Sequence, residues 1–137
     1  MRDQPVIERA DLARWIEGYE RAWRTPGTAP LAELFTPAAR YLPGPFADPI
    51  HGQAALASFW EAARDGPDEA FTMTWQPVAV EADVGVARVQ VGYGDPPSRV
   101  YRDLWIVTLD GDGRCSAFEE WPFFPGQPLS LHEPSGE

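Results

Sequence analysis

The second half of the chain has the pattern of an antiparallel β-sheet. Four extended runs lie at residues 71–81, 85–93, 99–109 and 114–124, and each is followed or preceded by a short turn sequence. The turns are short and rich in Gly, Asp or Pro. Because short turns join long strands only as hairpins, the sequence predicts an antiparallel meander here.

The first half has helical periodicity instead. Apolar residues recur at three- and four-residue spacing across 7–24, which predicts an amphipathic helix. A short helix is expected at 29–35, a short strand at 38–42 and a second amphipathic helix at 52–64. A stretch rich in Pro and Gly at 43–49 precedes the last helix, and its fixed φ angles suit a stiff loop.

Helices followed by a meander predict an α+β fold, in which a curved mixed or antiparallel sheet carries helices on its concave face. Such a sheet, closed by two helices into a cone-shaped, barrel-like fold, leaves a cavity that some of the many aromatic side chains can line. We expect a single domain over residues 1–137, with its core at about 8–124 and a polar, proline-rich tail at 125–137.

The charge of the chain excludes several kinds of partner. The chain has 11 basic and 21 acidic residues and a net charge of −10, and this field repels nucleic acid and anionic lipid. Every basic residue is arginine, which excludes Schiff-base and P-loop lysine chemistry. Two histidines, His51 and His132, cannot make the usual three-ligand zinc site unless carboxylates help, so no metal or cofactor is expected.

Cysteine content and hydropathy indicate a compartment. The one cysteine, Cys115, rules out an internal disulfide. No apolar run approaches the length of a membrane span, and the first residues lack the apolar centre of a signal peptide. We therefore expect a soluble cytoplasmic protein without a membrane partner.

Three stretches resemble the nuclear transport factor 2-like superfamily, which includes SnoaL-like cyclases, ketosteroid isomerases and limonene epoxide hydrolases. They are LARWIEGYERAW, LAELFTPAARYLPGPFADPIHGQAALASFW and YRDLWIVTLDGDGRCSAFEEW, and the resemblance covers about residues 8–124. It implies the cystatin-like fold of that superfamily. It does not fix an activity, because this fold carries many.

The ketosteroid isomerases of this superfamily use a helix tyrosine and a strand aspartate to bind an oxyanion, and a loop aspartate as base. Aligning ARWIE, PFADPIHG and the strand before DGDGR with that pattern places these groups on Trp15, on Pro43 or Gly44, and on Trp105. Tryptophan donates one N–H but accepts no proton. The resemblance therefore argues against isomerisation by that route.

The same alignment turns Trp105 toward the cavity, and side chains two residues apart on a strand share a face. The further side chains that this comparison turns inward are Arg88, Gln90, Tyr101, Asp103, Phe118 and Glu120. With turns centred near 96–97 and 111–112, Gln90, Asp103 and Glu120 fall opposite one another, and Arg88 lies diagonally from Asp103. We expect these polar side chains to meet at one end of the cavity.

Arg88, Asp103 and Glu120 are the candidate catalytic residues. Two carboxyls in a half-buried pocket cannot both ionise cheaply, and a nearby arginine lowers the pKa of one, so the cluster separates an acid from a base. Isomerisation, cyclisation or water addition would then be possible. Epoxide hydrolases of this fold carry Arg-x-Asp on one strand, which Arg88-Val89-Gln90 matches only in part, and Asp103 would have to supply the missing acid.

The expected ligand is a small, mostly apolar molecule, neutral or weakly cationic. Its binding residues are expected to be Trp15, Tyr19, Phe46, Trp60, Gln90, Tyr101, Trp105 and Phe118. The alternative is a non-catalytic binding or interaction domain of the same fold, in which arginine and carboxylates form a purely structural network. An open cavity reaching Asp103 or Glu120 favours the enzyme, and a cavity filled by rings favours the alternative.

The other face of the sheet is expected to be apolar. The side chains placed on it are Val89, Val91, Tyr93, Leu104, Ile106 and Trp121. Helices cover only one face, so this surface needs a cover. We expect a homodimer through this outer face, as in many members of the superfamily; the alternative is that Phe123-Phe124-Pro125 covers it.

Overall fold

The computed structural model describes residues 5–63 and 70–127. Its helices are α1 (Arg9–Arg24), α2 (Leu31–Leu34) and α3 (Gln53–Ala63). Its strands are β1 (Phe35–Leu42), β2 (Ile50–His51), β3 (Phe71–Glu81), β4 (Val84–Gly94), β5 (Pro97–Leu109) and β6 (Cys115–Phe123). All three predicted helices and the four long strands are present, and β2 is an additional short strand. Most of the predicted tail, with His132, lies outside the described residues.

The strands form one curved, mixed sheet in the order β2-β1-β6-β5-β4-β3, which confirms the α+β fold class. Strands β3 to β6 are antiparallel neighbours as predicted, whereas β1 runs parallel to β6. The edge strands β2 and β3 are not paired with each other, so the sheet is open and does not close into a barrel. Within the described residues, no helix has both the length and the apolar character that crossing a membrane requires.

Helix α1 packs its apolar side on the inner face of the sheet. It begins at a capping box, in which Glu8 N donates to Asp11 Oδ2 at 2.8 Å. Ile7 N donates to Ala82 O at 2.8 Å, which ties the start of the helix to the β3–β4 turn. The approach requires a glycine in β4, because a Cβ on Gly85 would lie 2.8 Å from Leu12 Cδ1.

Two side chains fasten the helices to the junction of α2 and β1. Trp15 Nε1 donates to Leu34 O at 2.9 Å inside the core. Gln53 Nε2, at the start of α3, donates to Phe35 O at 2.9 Å. Since these carbonyls lie where a helix becomes a strand, the side chains satisfy acceptors that regular structure leaves unpaired.

Candidate functional site

A cavity of about 240 Å³ lies between the inner face of the sheet and helices α1 and α3. Rings make up much of its wall: Tyr19, Trp23, Tyr41, Tyr93, Tyr101 and Trp105. Along β5, Trp105 and Asp103 are buried, Tyr101 is half-buried and Arg99 is exposed. The cavity therefore opens near Arg99, and its inner end lies at Asp103 and Trp105.

Two carboxyls, Asp103 of β5 and Glu120 of β6, face this inner end. The predicted register, which put them roughly opposite each other, is two residues off, because Asp103 pairs with Pro122 and Glu120 with Trp105. An irregularity between Thr108 and Leu109 changes the register there. Pro122, the partner of Asp103 on β6, lies two residues beyond Glu120. Because side chains two residues apart on a strand share a face, Asp103 and Glu120 lie on the same face of the sheet.

The two oxygens of Asp103 have different surroundings. Asp103 Oδ2 accepts a hydrogen bond from Trp105 Nε1 at 3.1 Å. Asp103 Oδ1 is buried, and no donor nitrogen or hydroxyl of the described residues reaches it. The Glu120 carboxyl is in hydrogen-bond contact with Asp103, and two carboxyls can bond only when one carries a proton. The geometry therefore calls for one proton between them.

Burial raises the pKa of Glu120 well above its ordinary value, and the adjacent Asp103 carboxyl raises it further. Burial also raises the pKa of Asp103, but hydrogen bonds from Glu120 and Trp105 make this increase smaller. The two carboxyls therefore titrate as a pair that holds one proton between them over an intermediate range of pH. One buried pair thus offers a proton donor and a proton acceptor.

Two tyrosines extend the polar group. The hydroxyls of Tyr19 and Tyr41 are 3.4 Å apart. Burial raises the pKa of both hydroxyls well above the ordinary value, so both stay protonated. Tyr41 also holds down the pKa of Glu120, because its hydroxyl stabilises the ionised carboxyl. The neutral hydroxyl of Tyr41 therefore contacts the carboxyl pair, and that of Tyr19 lies next to it.

Several residues expected at the site do line the cavity: Tyr19, Tyr101, Asp103, Trp105 and Glu120. The prediction that Trp15, Trp60 and Phe118 form its walls is wrong. Each is no more than 3% exposed and lies in the core behind the lining rings. Phe118, for example, contacts Trp105 with ring centroids 5.2 Å apart. These rings support the wall and do not face the space.

The prediction that Arg88 and Gln90 point into the cavity is also wrong, since both are exposed on the outer face of the sheet. Tyr93 pairs with Arg99 but Gly94 with Pro97, so Ser98 is an extra residue on β5. This bulge shifts the register by one and pairs Asp103 with Val89. Arg88 therefore cannot form the predicted network with the buried carboxyls.

The prediction for Phe46 fails for a different reason. Gly44 O accepts a hydrogen bond from Ala47 N at 3.1 Å, which makes residues 44–47 a tight turn. Phe46 lies at the tip of this turn, and its side chain is fully exposed. The stiff loop carries the ring away from the cavity.

Cavity residues that the sequence did not indicate come from two sources. Tyr93 and Val91 line the cavity and had been placed on the outer face by the one-residue register error. Tyr41 reaches the site because β1 lies parallel to β6, with Tyr41 paired to Phe118. No turn sequence between neighbouring strands signals that pairing, because the two strands are far apart in the chain.

The outer face carries fewer apolar side chains than the sequence predicted. Leu104 pairs with Trp121, and Ile106 pairs with Val86, all of them partly buried. The prediction that Val89, Val91 and Tyr93 belong to this face is wrong, since they share the inner face with Asp103.

The remaining candidates for metal or thiol chemistry are few. Within residues 5–63 and 70–127, no three side chains of His, Cys, Asp or Glu gather in a group that could hold a metal ion. Cys115 is buried, its Sγ donates to Ala117 O at 3.1 Å, and burial raises the pKa of its thiol. His51 is exposed in β2.

The family model of the SnoaL-like domain matches residues 13–118 of the chain. This span runs from within α1 to the first four residues of β6, so it includes Asp103 and ends before Glu120. No curated protein shows significant similarity to the chain.

Solved structures share the fold at low sequence identity. A candidate isomerase of the SnoaL-like family from Agrobacterium tumefaciens is 18% identical with a TM-score of 0.63, over 83% of this chain and 98% of its own. A candidate ketosteroid isomerase from Kribbella flavida is 17% identical with a TM-score of 0.64, over 88% and 81%. A candidate polyketide cyclase from Sinorhizobium meliloti is 23% identical with a TM-score of 0.60, over 83% and 99%. At such identities the likeness shows the fold alone.

Proposed function

The chain belongs to the SnoaL-like domain family, and we propose that it binds a small, mostly apolar molecule and acts on it by general acid–base catalysis. Asp103 is the base and Glu120 the acid. The observation that carries this proposal is the buried contact between these carboxyls at the inner end of an open cavity. A pair of titratable groups with opposite protonation states is the arrangement that acid–base chemistry needs.

The cavity limits the size of the ligand. Its volume is about 240 Å³. A buried apolar cavity of about 150 Å³ is enough for benzene, so this one suits a molecule of one or two rings. Lining rings such as Trp23 and Tyr93 offer apolar faces, and only the inner end offers several polar groups.

Proton transfer next to a carbonyl group is the reaction class that fits this site. The Asp103 carboxylate takes a proton from the carbon beside the carbonyl, and Glu120 gives its proton to the carbonyl oxygen, which produces the enol. When the substrate is a β,γ-unsaturated ketone, the dienol takes the proton from Asp103 at its γ carbon and returns the proton on oxygen to Glu120, which gives the conjugated isomer. When the enol carbon instead attacks a second carbonyl, the enol proton returns to Glu120 and the new alkoxide takes the proton from Asp103, which gives a ring. Isomerisation and cyclisation, the activities in the names of the structural neighbours, can both start this way.

Deuterium exchange tests the proposal without knowledge of the natural substrate. The probe is α-tetralone in D₂O, and NMR follows the loss of the hydrogens beside its carbonyl. We expect the protein to accelerate the exchange and Asp103→Asn to reduce that acceleration by roughly 10²-fold or more, as for loss of a general base. Glu120→Gln should reduce it as well, because the amide cannot protonate the oxygen.

Glu119→Gln is the matched control for this experiment. Glu119 is the next residue on β6, and its carboxyl accepts a hydrogen bond from Trp121 Nε1 at 2.7 Å, away from the cavity. The control variant should exchange at the wild-type rate. Exchange at the solvent rate in the wild-type protein, with α-tetralone bound, would favour a non-catalytic binding domain instead.

We also propose that two copies associate through the outer face of the sheet. Support comes from the partly buried apolar pairs Leu104–Trp121 and Val86–Ile106, and from Phe123, which is 44% exposed. The cytoplasmic location expected from the sequence stays a prediction, which fractionation of cells would test.

A further inference from the structure

The indole of Trp105 is next to both buried carboxyls at the inner end of the cavity. Trp105 is paired directly with Glu120 across β5 and β6, and it lies two residues from Asp103 on its own strand. It therefore shares the inner face of the sheet with both carboxyls. Its Nε1–H donates to Asp103 Oδ2 at 3.1 Å, so the single N–H of the ring serves Asp103 and not the cross-strand partner Glu120.

Three neighbouring rings hold this indole in place. The centroid of its ring lies 4.5 Å from that of Tyr19, 5.2 Å from that of Phe118 and 6.4 Å from that of Trp15. Trp105 is only 2% exposed. Because the ring is closely packed, its N–H keeps one direction, and the Asp103 carboxyl that accepts from it keeps one orientation.

The indole N–H and the Tyr41 hydroxyl act differently on the two carboxyls. A hydroxyl both donates and accepts, so Tyr41 can serve Glu120 in either protonation state. An indole N–H only donates, and its hydrogen bond is strongest when the acceptor is charged. Trp105 therefore favours the ionised form of Asp103, whereas no comparable donor-only group is bonded to Glu120 among the described residues.

The remaining titratable and charged groups around the carboxyls do not reverse this preference. Burial raises the pKa of the Tyr19 and Tyr41 hydroxyls, so both are neutral. Arg99, whose guanidinium carbon lies 4.8 Å from the Tyr93 ring centroid, is four residues from Asp103 on β5, or roughly 13 Å at 3.3 Å per residue. Within residues 5–63 and 70–127, no arginine forms an ion pair with either carboxyl. From β3 and α3, the lining side chains are apolar: Phe59, Ala63, Phe71 and Met73.

From this arrangement we infer that Trp105 is a positioning residue, whose indole N–H holds the Asp103 carboxylate in place and makes Asp103, rather than Glu120, the base of the pair. The inference rests on the proposed function and explains how two carboxyls of the same chemistry take different roles. Trp105 itself exchanges no proton with the substrate, because its N–H stays bonded to Asp103 Oδ2.

Carboxyl ¹³C NMR of the wild-type protein and of Trp105→Phe tests the inference, with aspartate and glutamate side chains labelled. In the wild-type protein, we expect the Asp103 signal to follow the lower of the two pKa values of the pair. Trp105→Phe keeps an aromatic ring but removes the donor. The lower pKa should then rise by about one to two pH units, the usual effect of a hydrogen bond to a charged group. The pH below which α-tetralone exchange slows should rise by the same amount.

Two tryptophans elsewhere in the fold provide matched controls. Trp121 donates to Glu119 Oε2 at 2.7 Å, which repeats the tryptophan–carboxylate spacing of two residues away from the cavity. Trp15 is buried like Trp105, but its N–H is bonded to Leu34 O, so Trp15→Phe controls for a loss of stability alone. Trp121→Phe and Trp15→Phe should both keep the wild-type value of the lower pKa.

A second measurement needs no variant at all. In the wild-type protein, the ¹H–¹⁵N resonance of the Trp105 indole should shift with the ionisation of Asp103, because the N–H is bonded to that carboxyl. An indole resonance that does not follow Asp103, a lower pKa that is unchanged in Trp105→Phe, or an equal change in either control would overturn the inference. So would a Glu120 signal that titrates before that of Asp103. The acid–base reaction would still stand in each case, because α-tetralone exchange by the wild-type protein decides it separately.

Discussion

Asp103 and Glu120 join their carboxyls although they are not cross-strand partners. Asp103 is paired with Pro122 and Glu120 with Trp105, so the contact runs diagonally between β5 and β6. Diagonal neighbours on one face of a sheet are within reach of long side chains. Glutamate spans the extra distance, and Trp105 Nε1 donates to Asp103 Oδ2. The site therefore depends on the register of one hairpin.

The raised pKa of Glu120 predicts a pH-dependent stability. Below a pH of about 4.5, Glu120 is protonated in both the folded and the unfolded chain. Above it, the unfolded chain releases the proton and the folded chain keeps it, so the free energy of unfolding falls as pH rises. The slope is up to about 1.4 kcal/mol per pH unit until the folded-state pKa is reached.

Glu120→Gln should reduce this slope, because the amide does not titrate, whereas Asp103, whose pKa burial also raises, still contributes. Urea unfolding between pH 4 and pH 8 measures the effect, and Glu119→Gln serves as the control that should keep the wild-type slope. Parallel stability curves for the wild-type protein and Glu120→Gln would show that Glu120 has the same pKa in the folded and the unfolded chain, which would contradict the prediction.

Trp15→Phe should destabilise the protein without changing cavity chemistry. The substitution removes the donor to Leu34 O, a buried hydrogen bond of 2.9 Å, and leaves that carbonyl unpaired. The expected loss is about 1–3 kcal/mol in the free energy of unfolding. In the control Trp121→Phe, the lost partner is the half-buried Glu119 carboxylate, which water can reach, so the loss should be smaller. Equal losses measured by urea unfolding would contradict this account.

The sequence predicted the elements well because their signals are local. The spacing of Leu12, Trp15 and Tyr19 defines one helix face, and the turn at residues 110–113 defines one hairpin. The face of Glu120 was predicted correctly although its register was two residues off, because an even displacement preserves the face. Turn residues alone did not show that displacement.

The residues placed wrongly depend on features that a sequence does not display. The extra residue Ser98 on β5 reverses the face of Arg88, and no pattern in the turn distinguishes a bulge from a longer loop. Tyr41 joins the site through the parallel pairing of β1 with β6, two strands that lie far apart in the chain. The cavity is assembled from such long-range contacts.

Gly85→Ala tests how closely α1 lies on the sheet. The added Cβ would lie 2.8 Å from Leu12 Cδ1, and Leu12 is fully buried, so either the side chain or the helix must shift. Overpacking of this kind costs about 1–3 kcal/mol in the free energy of unfolding. The control Gly111→Ala has no atom within 4 Å of its added Cβ and should change stability by less than about 0.5 kcal/mol. Similar urea midpoints for both variants would mean that α1 adjusts freely.

Ile106→Arg tests the proposed association of two copies. Ile106 lies on the outer face beside Val86, and a charge there would be buried without a partner if a second sheet covered it. We expect light scattering to give twice the chain mass for the wild-type protein and the single-chain mass for the variant.

Ala62→Arg provides the control, because Ala62 is exposed on α3 and the added charge is the same. This variant should remain dimeric. Circular dichroism of Ile106→Arg should retain the wild-type spectrum, because the substitution leaves the inner face and its core untouched. A wild-type protein that stays monomeric at tens of micromolar would contradict the association. The cover of the outer face would then be Phe123 and Phe124, which lie next to Leu104 and Arg102.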